Sequence, residues 1–233
     1  MQPLFVILAA HVANYDVEVR LIKHATRWRL VTGRANVSVV GNVAAGAESD
    51  ALDGLARRAG LAYVRNEGWP SHGWEVGAYK AGAAALARSG APPDAVVVFA
   101  QDSLELLAPA RFAAALDRWA GTPACLQTFP HHVALTRQTV ARLRAWLGTR
   151  YDETASWSGC TFNSFVAAWT DVAALDAMGL FAPAARDRFD ATATERFFGY
   201  VLSRNYDEPA PLCGRDLFGK CGLNKAHLGR PQR

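Results

Sequence analysis

The sequence lacks any apolar stretch long enough to cross a bilayer. The apolar stretch at residues 1–10 is short, follows no basic segment and runs directly into His11 and the polar residues 14–16. This pattern is typical of a first buried strand and not of a signal peptide. We therefore expect a cytoplasmic protein with no membrane span.

Cysteine is scarce, and no Cys-x-x-Cys pair occurs among Cys125, Cys160, Cys213 and Cys221. Reduced and mostly buried thiols are the favoured interpretation. A zinc site around Cys213, Cys221 and His227, or a Cys213–Cys221 disulfide, stays open as an alternative, although the spacing matches no standard zinc pattern.

Runs of like charge are also missing, and so is a basic stripe interleaved with aromatic residues. The net charge is only +4, and arginine is spread along the chain. This balance fits a site for anionic ligands as well as many ordinary soluble proteins, and it argues against a nucleic-acid partner.

Three phosphate-binding or hydrolase motifs are absent. There is no P-loop, and residues 10–14 do not form the Gly-x-Gly-x-x-Gly of dinucleotide-binding folds after the first strand. No Gly-x-Ser-x-Gly elbow is visible. These absences count against P-loop nucleotidases, dinucleotide oxidoreductases and α/β-hydrolases.

The chain does have regular alternation of strand and helix patterns. Its 233 residues are 51% hydrophobic, enough for one domain with a sizeable core. The alternation through about residue 150 predicts a single three-layer α/β domain with a mostly parallel sheet. Strands are predicted at 5–10, 36–43, 61–64, 96–99, 124–129 and 161–169, and helices at 17–28, 52–59, 74–88, 109–119, 135–147 and 171–178.

Between these elements we expect loops at 66–73 and 151–159 and a loop-like tail after 209. The spacing from Thr192 to Glu195 is that of a capping box and predicts a helix beginning there. The small residues of the 74–88 helix predict close packing of that helix onto the sheet.

The central stretch runs from Val96 through a buried apolar strand into Gln101, Asp102 and Ser103. Ligands of open α/β sheets bind beyond the carboxyl ends of the strands. An amide, a carboxylate and a hydroxyl placed there could bind a metal, a sugar or a phosphate. The alternative is an Asp-Ser turn or helix cap with no chemical role.

Four short motifs occur in a characteristic order: Asn66-x-Gly68, the Gly-Trp-Glu-Val-Gly-Ala-Tyr-Lys stretch at 73–80, the strand end at 97–103, and the Glu-Arg-Phe-Phe-Gly-Tyr segment at 195–200. In this order they resemble GT-A-type glycosyltransferase-like proteins. The similarity is greatest to a bacterial rhamnan-synthesis-type group and a related uncharacterised bacterial and fungal family, and it covers most of residues 4–205.

The resemblance implies a Rossmann-like GT-A domain over 1–233, with a nucleotide-binding half at about 1–130 and an acceptor-side half with the tail at about 131–233. It implies a nucleotide-sugar donor, an acceptor hydroxyl on a small molecule or glycan, and a divalent cation, Mn²⁺ or Mg²⁺. The end of the first strand, including His11 and Asn14, would hold the nucleobase and ribose. Asn66 and Glu75 would line the donor pocket.

Asp102 would stand at the metal site of the family, flanked by Gln101 and Ser103 where the family has Asp-x-Asp. His227 in the tail could reach the metal and diphosphate. A basic side chain could neutralise the diphosphate instead, the candidates being Lys80, Arg215, Lys220 and Lys225.

Glu195 is the candidate general base, because a carboxylate can remove the proton of the acceptor hydroxyl. It could also merely close the capping box, and Asp190 is the substitute. Glu75 could be a first-turn carboxylate favoured by the helix dipole. Trp157 could stack on a sugar or fill the rim of the core.

The remaining polar neighbours have simpler interpretations. Lys80 could be a salt-bridge partner of Glu75, and Arg196 is expected to solvate a helix face. The sequence therefore predicts a glycosyltransferase. The alternative is a non-catalytic GT-A-like protein that binds a nucleotide or a saccharide.

Overall fold

The computed structural model describes residues 2–11, 18–33, 36–44, 46, 51–69, 75–130, 136–155, 157–183, 188–206, 211–213 and 215–220. Within these ranges the strands are β1 Leu4–His11, β2 Val37–Ala44, β3 Ala62–Trp69, β4 Val96–Gln101, β5 Leu104–Leu106, β6 Ala124–Cys125, β7 Thr128–Pro130, β8 Ser158–Cys160, β9 Phe165–Ala168 and β10 Phe218–Lys220. The helices are α1 Glu18–Thr32, α2 Ala51–Arg58, α3 Glu75–Arg88, α4 Pro109–Asp117, α5 Arg137–Leu147, α6 Trp169–Ala177 and α7 Arg188–Asn205.

Six strands form the main sheet in the order β3-β2-β1-β4-β9-β6. The first four are parallel to one another, and β9 is antiparallel to both of its neighbours. The two small antiparallel pairs are β5 with β10 and β7 with β8. The predicted α/β class with a mostly parallel sheet is confirmed.

Both faces of the sheet are buried, because successive side chains of a strand point to opposite faces. Val97 and Phe99 of β4 belong to one hydrophobic cluster, whereas Val96 and Val98 belong to the other. On the first face Phe99 stacks on Phe165, with the ring centroids 4.4 Å apart. The strand predicted to be buried on both faces, β4, thus lies in a sheet that forms the middle of three layers.

Helix α3 lies close to the sheet, as its small residues predict. A Cβ atom placed on Gly82 would lie 2.5 Å from Cγ2 of Ile7 and 3.0 Å from Cγ2 of Val40. A glycine at this position therefore permits the close approach of α3 to β1 and β2.

Several element boundaries differ from the prediction. The loop predicted at 66–73 begins as strand, because β3 continues its pairing with β2 as far as Trp69. The strand predicted at 124–129 is divided between two sheets, as β6 and β7. Residues 158–160 of the predicted loop form β8, and only 165–168 of the predicted 161–169 strand are extended, after a 3-10 turn at 161–163. The tail contributes β10.

The predicted capping box is wrong. Helix α7 begins at Arg188, so Thr192 and Glu195 lie within the helix and not at its start. Asp190 in the first turn of α7 is buried and pairs with Arg142 of α5. The helix thus starts one turn before the local capping signal, and its first turn contains a tertiary ion pair.

Cys125, Cys160 and Cys213 are free and buried, in agreement with the favoured interpretation. The alternative zinc and disulfide sites depend on Cys221 and His227, which lie outside the described residues. No helix within the described ranges has the length and apolarity that a membrane span requires.

Candidate functional site

The sheet has a switch point between β1 and β4. From β1 the strands β2 and β3 follow on one side, and β4 lies on the other. The backbone N–H of Asp102 donates to the carbonyl of Ala9 at 2.9 Å, which joins the carboxyl ends of the two strands. Open α/β sheets bind ligands in the crevice at such a point. Residues 101–103, singled out from the sequence, lie at its edge.

The polar triplet at the end of β4 forms a compact turn into β5. Asp102 and Ser103 are buried, and the Ser103 hydroxyl donates to Oε1 of Gln101 at 2.5 Å. The alternative interpretation of residues 101–103 as an Asp-Ser turn is therefore correct for the backbone. The same turn places Asp102 at the switch point.

A row of polar residues crosses the same edge of the sheet. His11 of β1 lies opposite Asn42 of β2, and Asn42 lies opposite Asn66 of β3. The Asn66 amide nitrogen donates to Oδ1 of Asn42 at 2.7 Å. Sequence reasoning found His11 and Asn66 but missed Asn42, although its place near the end of the second predicted strand was a usable signal.

Glu75, the first residue of α3, is only 8% exposed. The pKa of its carboxyl is raised from 4.5 to about 7, mainly by burial and in smaller part by the charges of Glu195 and Asp102. Hydrogen bonds from the backbone N–H of Glu75 and from Asn163 act in the opposite direction. A carboxyl whose pKa is raised in this way at a sheet edge is typical of functional sites.

Asn163 is a second site residue that sequence reasoning missed. It is fully buried, and its amide nitrogen donates to the Glu75 carboxyl and, at 2.9 Å, to the Thr194 hydroxyl. The stretch around it was predicted to be a strand. Its tendency to accept left-handed backbone was the available signal for a turn.

Helix α7 places Glu195 next to this cluster. Glu195 is half-buried, and its charge acts on Glu75 and on the buried thiol of Cys160. Thr194, one residue earlier, is fully buried. The charges of Glu195 and Asp102 thus both act on Glu75, and the predicted roles of the three residues stay predictions.

Arg196 does not solvate a helix face, and that expectation is wrong. It is 2% exposed, donates to the Thr192 carbonyl at 2.8 Å, and lies over the Phe129 ring with its guanidinium carbon 5.0 Å from the centroid. Burial lowers the pKa of its guanidinium, while the charge of Glu195 raises it. Arg196 therefore joins α7 to the β7–β8 pair beside the site.

The other predicted residues are more scattered. Lys80 is exposed while Glu75 is buried, so the proposed salt bridge between them is not formed. Trp157 is 3% exposed and packs edge-on against Tyr200 at 5.0 Å, as its core-rim alternative describes; its contact with a sugar stays a prediction.

Several predicted residues lie wholly or in part beyond what the structure describes. These are Asn14, Lys225 and His227, together with the side chains of His11, Arg215 and Lys220. Their predicted roles stay predictions.

The described residues do not by themselves fit a divalent metal. Within the described ranges no three histidine, cysteine, aspartate or glutamate side chains come together as a metal-binding set. The side-chain amide oxygen of Gln101, next to Asp102, already accepts a hydrogen bond from the Ser103 hydroxyl. The predicted cation at Asp102 would need ligands from elsewhere, such as the diphosphate or His227.

Comparison with known proteins identifies no family for this chain. No protein-family model and no curated protein matches the sequence. Among solved structures, a cytidylyltransferase from Leptospira borgpetersenii serovar Hardjo-bovis is similar at 11% identity and a TM-score of 0.49, over 88% of this chain and 73% of that chain.

Proposed function

We propose that this protein binds a nucleotide sugar at the carboxyl edge of the β1–β4 switch point and transfers the sugar to an acceptor hydroxyl. The observation that carries the proposal is the hydrogen bonding of Asn163 to both the buried Glu75 carboxyl and Thr194, the neighbour of Glu195. In support, the charges of Glu195 and Asp102 both act on Glu75. Such a coupled carboxyl group suits proton transfer.

In the proposed reaction the acceptor oxygen attacks the anomeric carbon of the donor. The bond from that carbon to the diphosphate oxygen breaks, and the electron pair leaves with the diphosphate. Glu195, half-buried on α7, takes the proton of the acceptor hydroxyl. Glu75 and Asn66 remain the proposed donor-pocket residues, and a divalent cation near Asp102 remains a proposal that the assays below include as a variable.

Glu195→Gln is expected to lower the transfer of sugar from a nucleotide-sugar donor to an acceptor, or to water, by about 100-fold or more. The amide keeps the size and the hydrogen-bonding oxygen but cannot accept the proton. The measurement is release of nucleoside diphosphate from a panel of common nucleotide sugars, each with and without Mn²⁺. Glu153→Gln, an exposed carboxyl in the loop after α5, is the matched control and should leave the rate unchanged.

Two outcomes contradict the catalytic proposal. If Glu195→Gln and wild type consume the donors equally fast, Glu195 is not the base. If the wild-type protein binds nucleotides but consumes no donor under any condition, the alternative of a non-catalytic nucleotide- or saccharide-binding protein is correct. One observation favours this alternative. The side-chain oxygen of Gln101 is engaged by the Ser103 hydroxyl, at a position where the GT-A-type proteins that the sequence resembles have an acidic residue.

A further inference from the structure

Asn163 connects three separate parts of the fold. It lies in the turn between β8 and β9, and its amide nitrogen donates both to Glu75 at the start of α3 and to Thr194 of α7. Glu75 is 88 residues away along the chain, and Thr194 is 31 residues away. A single amide group thus holds the Glu75 carboxyl against the helical turn that carries Glu195.

The backbone at this position is unusual. With φ of 49°, Asn163 is the one residue other than glycine with positive φ in the part of the chain that the structure describes. Asparagine tolerates this left-handed conformation better than most residues. The turn is held on both sides, because the N–H of Thr161 donates to the carbonyl of Gln127 at 2.9 Å and the carbonyl of Ser164 accepts from the N–H of Leu126 at 2.8 Å.

The orientation of the Asn163 amide is determined by Glu75. The side-chain bonds to Glu75 and Thr194 both use the amide nitrogen, whereas Oδ1 is buried with no hydrogen-bond partner among the described residues. Turning the amide over would place its oxygen against the Glu75 carboxyl oxygen. A buried acceptor left unpaired is costly. The amide keeps this orientation, with Oδ1 unpaired, because its nitrogen can then donate to the Glu75 carboxyl.

We propose that Asn163 is a positioning residue of the site: its amide fixes the Glu75 carboxyl and, through Thr194, the turn of α7 that carries Glu195. The inference rests on the proposed function only where it concerns turnover. The charged and titratable groups that act on Glu75 are Glu195 from α7 and Asp102 after β4, and the Tyr79 hydroxyl one turn along α3 is affected by Glu75 in turn.

The test compares Asn163→Gly with Asn163→Asp. Glycine keeps the left-handed backbone and removes the amide. Aspartate keeps the size and the backbone tolerance but replaces the donor with a second carboxyl. The readout is the carboxyl ¹³C titration of Glu75 in protein with labelled glutamate, with the resonance assigned from its loss in Glu75→Gln.

In both variants the midpoint of the Glu75 titration is expected to move upward, by about one pH unit for glycine, because the carboxylate loses a charge-assisted hydrogen bond. If Asn163 served only the backbone, glycine would leave the midpoint where it is, and that result would overturn the proposal. Should Asn163→Gly not fold, an unchanged midpoint in Asn163→Asp overturns it equally.

Turnover gives an independent readout. If the protein is a glycosyltransferase, Asn163→Gly is expected to lower kcat by roughly tenfold or more with little change in the donor KM, since the amide orients the site and contacts no donor. A rise in KM alone would contradict a positioning role in turnover. Because the titration needs no nucleotide, failure of the glycosyl-transfer proposal leaves the test of Asn163 valid.

Discussion

Alanine at position 199 is expected to destabilise the protein by more than about 3 kcal/mol and can abolish folding altogether. Gly199 lies in α7 where the helix presses onto β8. A Cβ atom there would lie 1.9 Å from the carbonyl oxygen of Ser158 and 2.8 Å from Cα of Gly159. Both neighbours are backbone, so no side-chain rotation can relieve the clash, and α7 would have to move away from the sheet together with Glu195.

Urea unfolding followed by far-UV circular dichroism measures this effect, and Gly54→Ala is the matched control. Gly54 is also within a helix, but its nearest contact is the flexible Arg58 side chain at 3.4 Å. Alanine there should stabilise the protein by up to about 1 kcal/mol, because glycine is a poor helix former. Equal stability of Gly199→Ala and wild type would show that α7 does not pack on β8 as described.

Glu75→Gln is expected to gain stability relative to wild type as the pH rises. The difference in the free energy of unfolding between the two proteins should be roughly 3 kcal/mol more in favour of the variant above pH 7 than at pH 4. The pKa of Glu75 is about 7 in the folded state against an ordinary value of 4.5. The folded state therefore keeps the proton to higher pH than the unfolded state does. Wild-type stability from this group falls as the pH rises from 4.5 through 7, whereas glutamine is neutral throughout.

The measurement is the free energy of unfolding of both proteins at pH 4 to 9. Glu67→Gln is the control, because Glu67 is an exposed carboxyl of β3 paired with Arg65. It should show no comparable gain as the pH rises. A stability difference between Glu75→Gln and wild type that stays constant over this range would mean that the Glu75 carboxyl is not held in a buried site. A gain in stability of Glu75→Gln over wild type with rising pH would mean that the wild-type fold retains a destabilising carboxyl, as functional sites commonly do.

The part of the site that could be predicted lies on strands with strong periodic signals. The Val-rich run from Val96 marks β4 because a doubly buried strand reads as a continuous apolar segment. Once β4 is placed, Asp102 follows at its carboxyl end, and the parallel order of β1 to β4 brings His11 and Asn66 to the same edge. The mostly parallel sheet follows from the same alternation of elements.

The remainder depends on contacts between distant residues. Asn163 meets Glu75 across 88 positions, and no local pattern indicates that pairing. The capping-box spacing before Glu195 is a valid local signal, but α7 begins earlier, and Asp190 in its first turn pairs with Arg142 of α5. Short paired strands such as β5 and β10, three residues each, are below the length at which alternation can be recognised.

The most direct test of the proposed nucleotide site is thermal unfolding against a panel of uridine, guanosine, cytidine, adenosine and thymidine diphosphates, each with and without Mn²⁺. A nucleotide that binds only the folded state raises Tm, by roughly 5–10 °C at about 100 times its Kd. The comparison is Asp102→Asn, at the carboxyl end of β4, with Asp94→Asn, an exposed residue just before the other end of the same strand.

We predict a rise in Tm with one nucleotide that is reduced in Asp102→Asn and retained in Asp94→Asn. An equal rise in both variants would place the nucleotide elsewhere on the protein. No rise with any nucleotide would contradict a nucleotide site at the β1–β4 switch point.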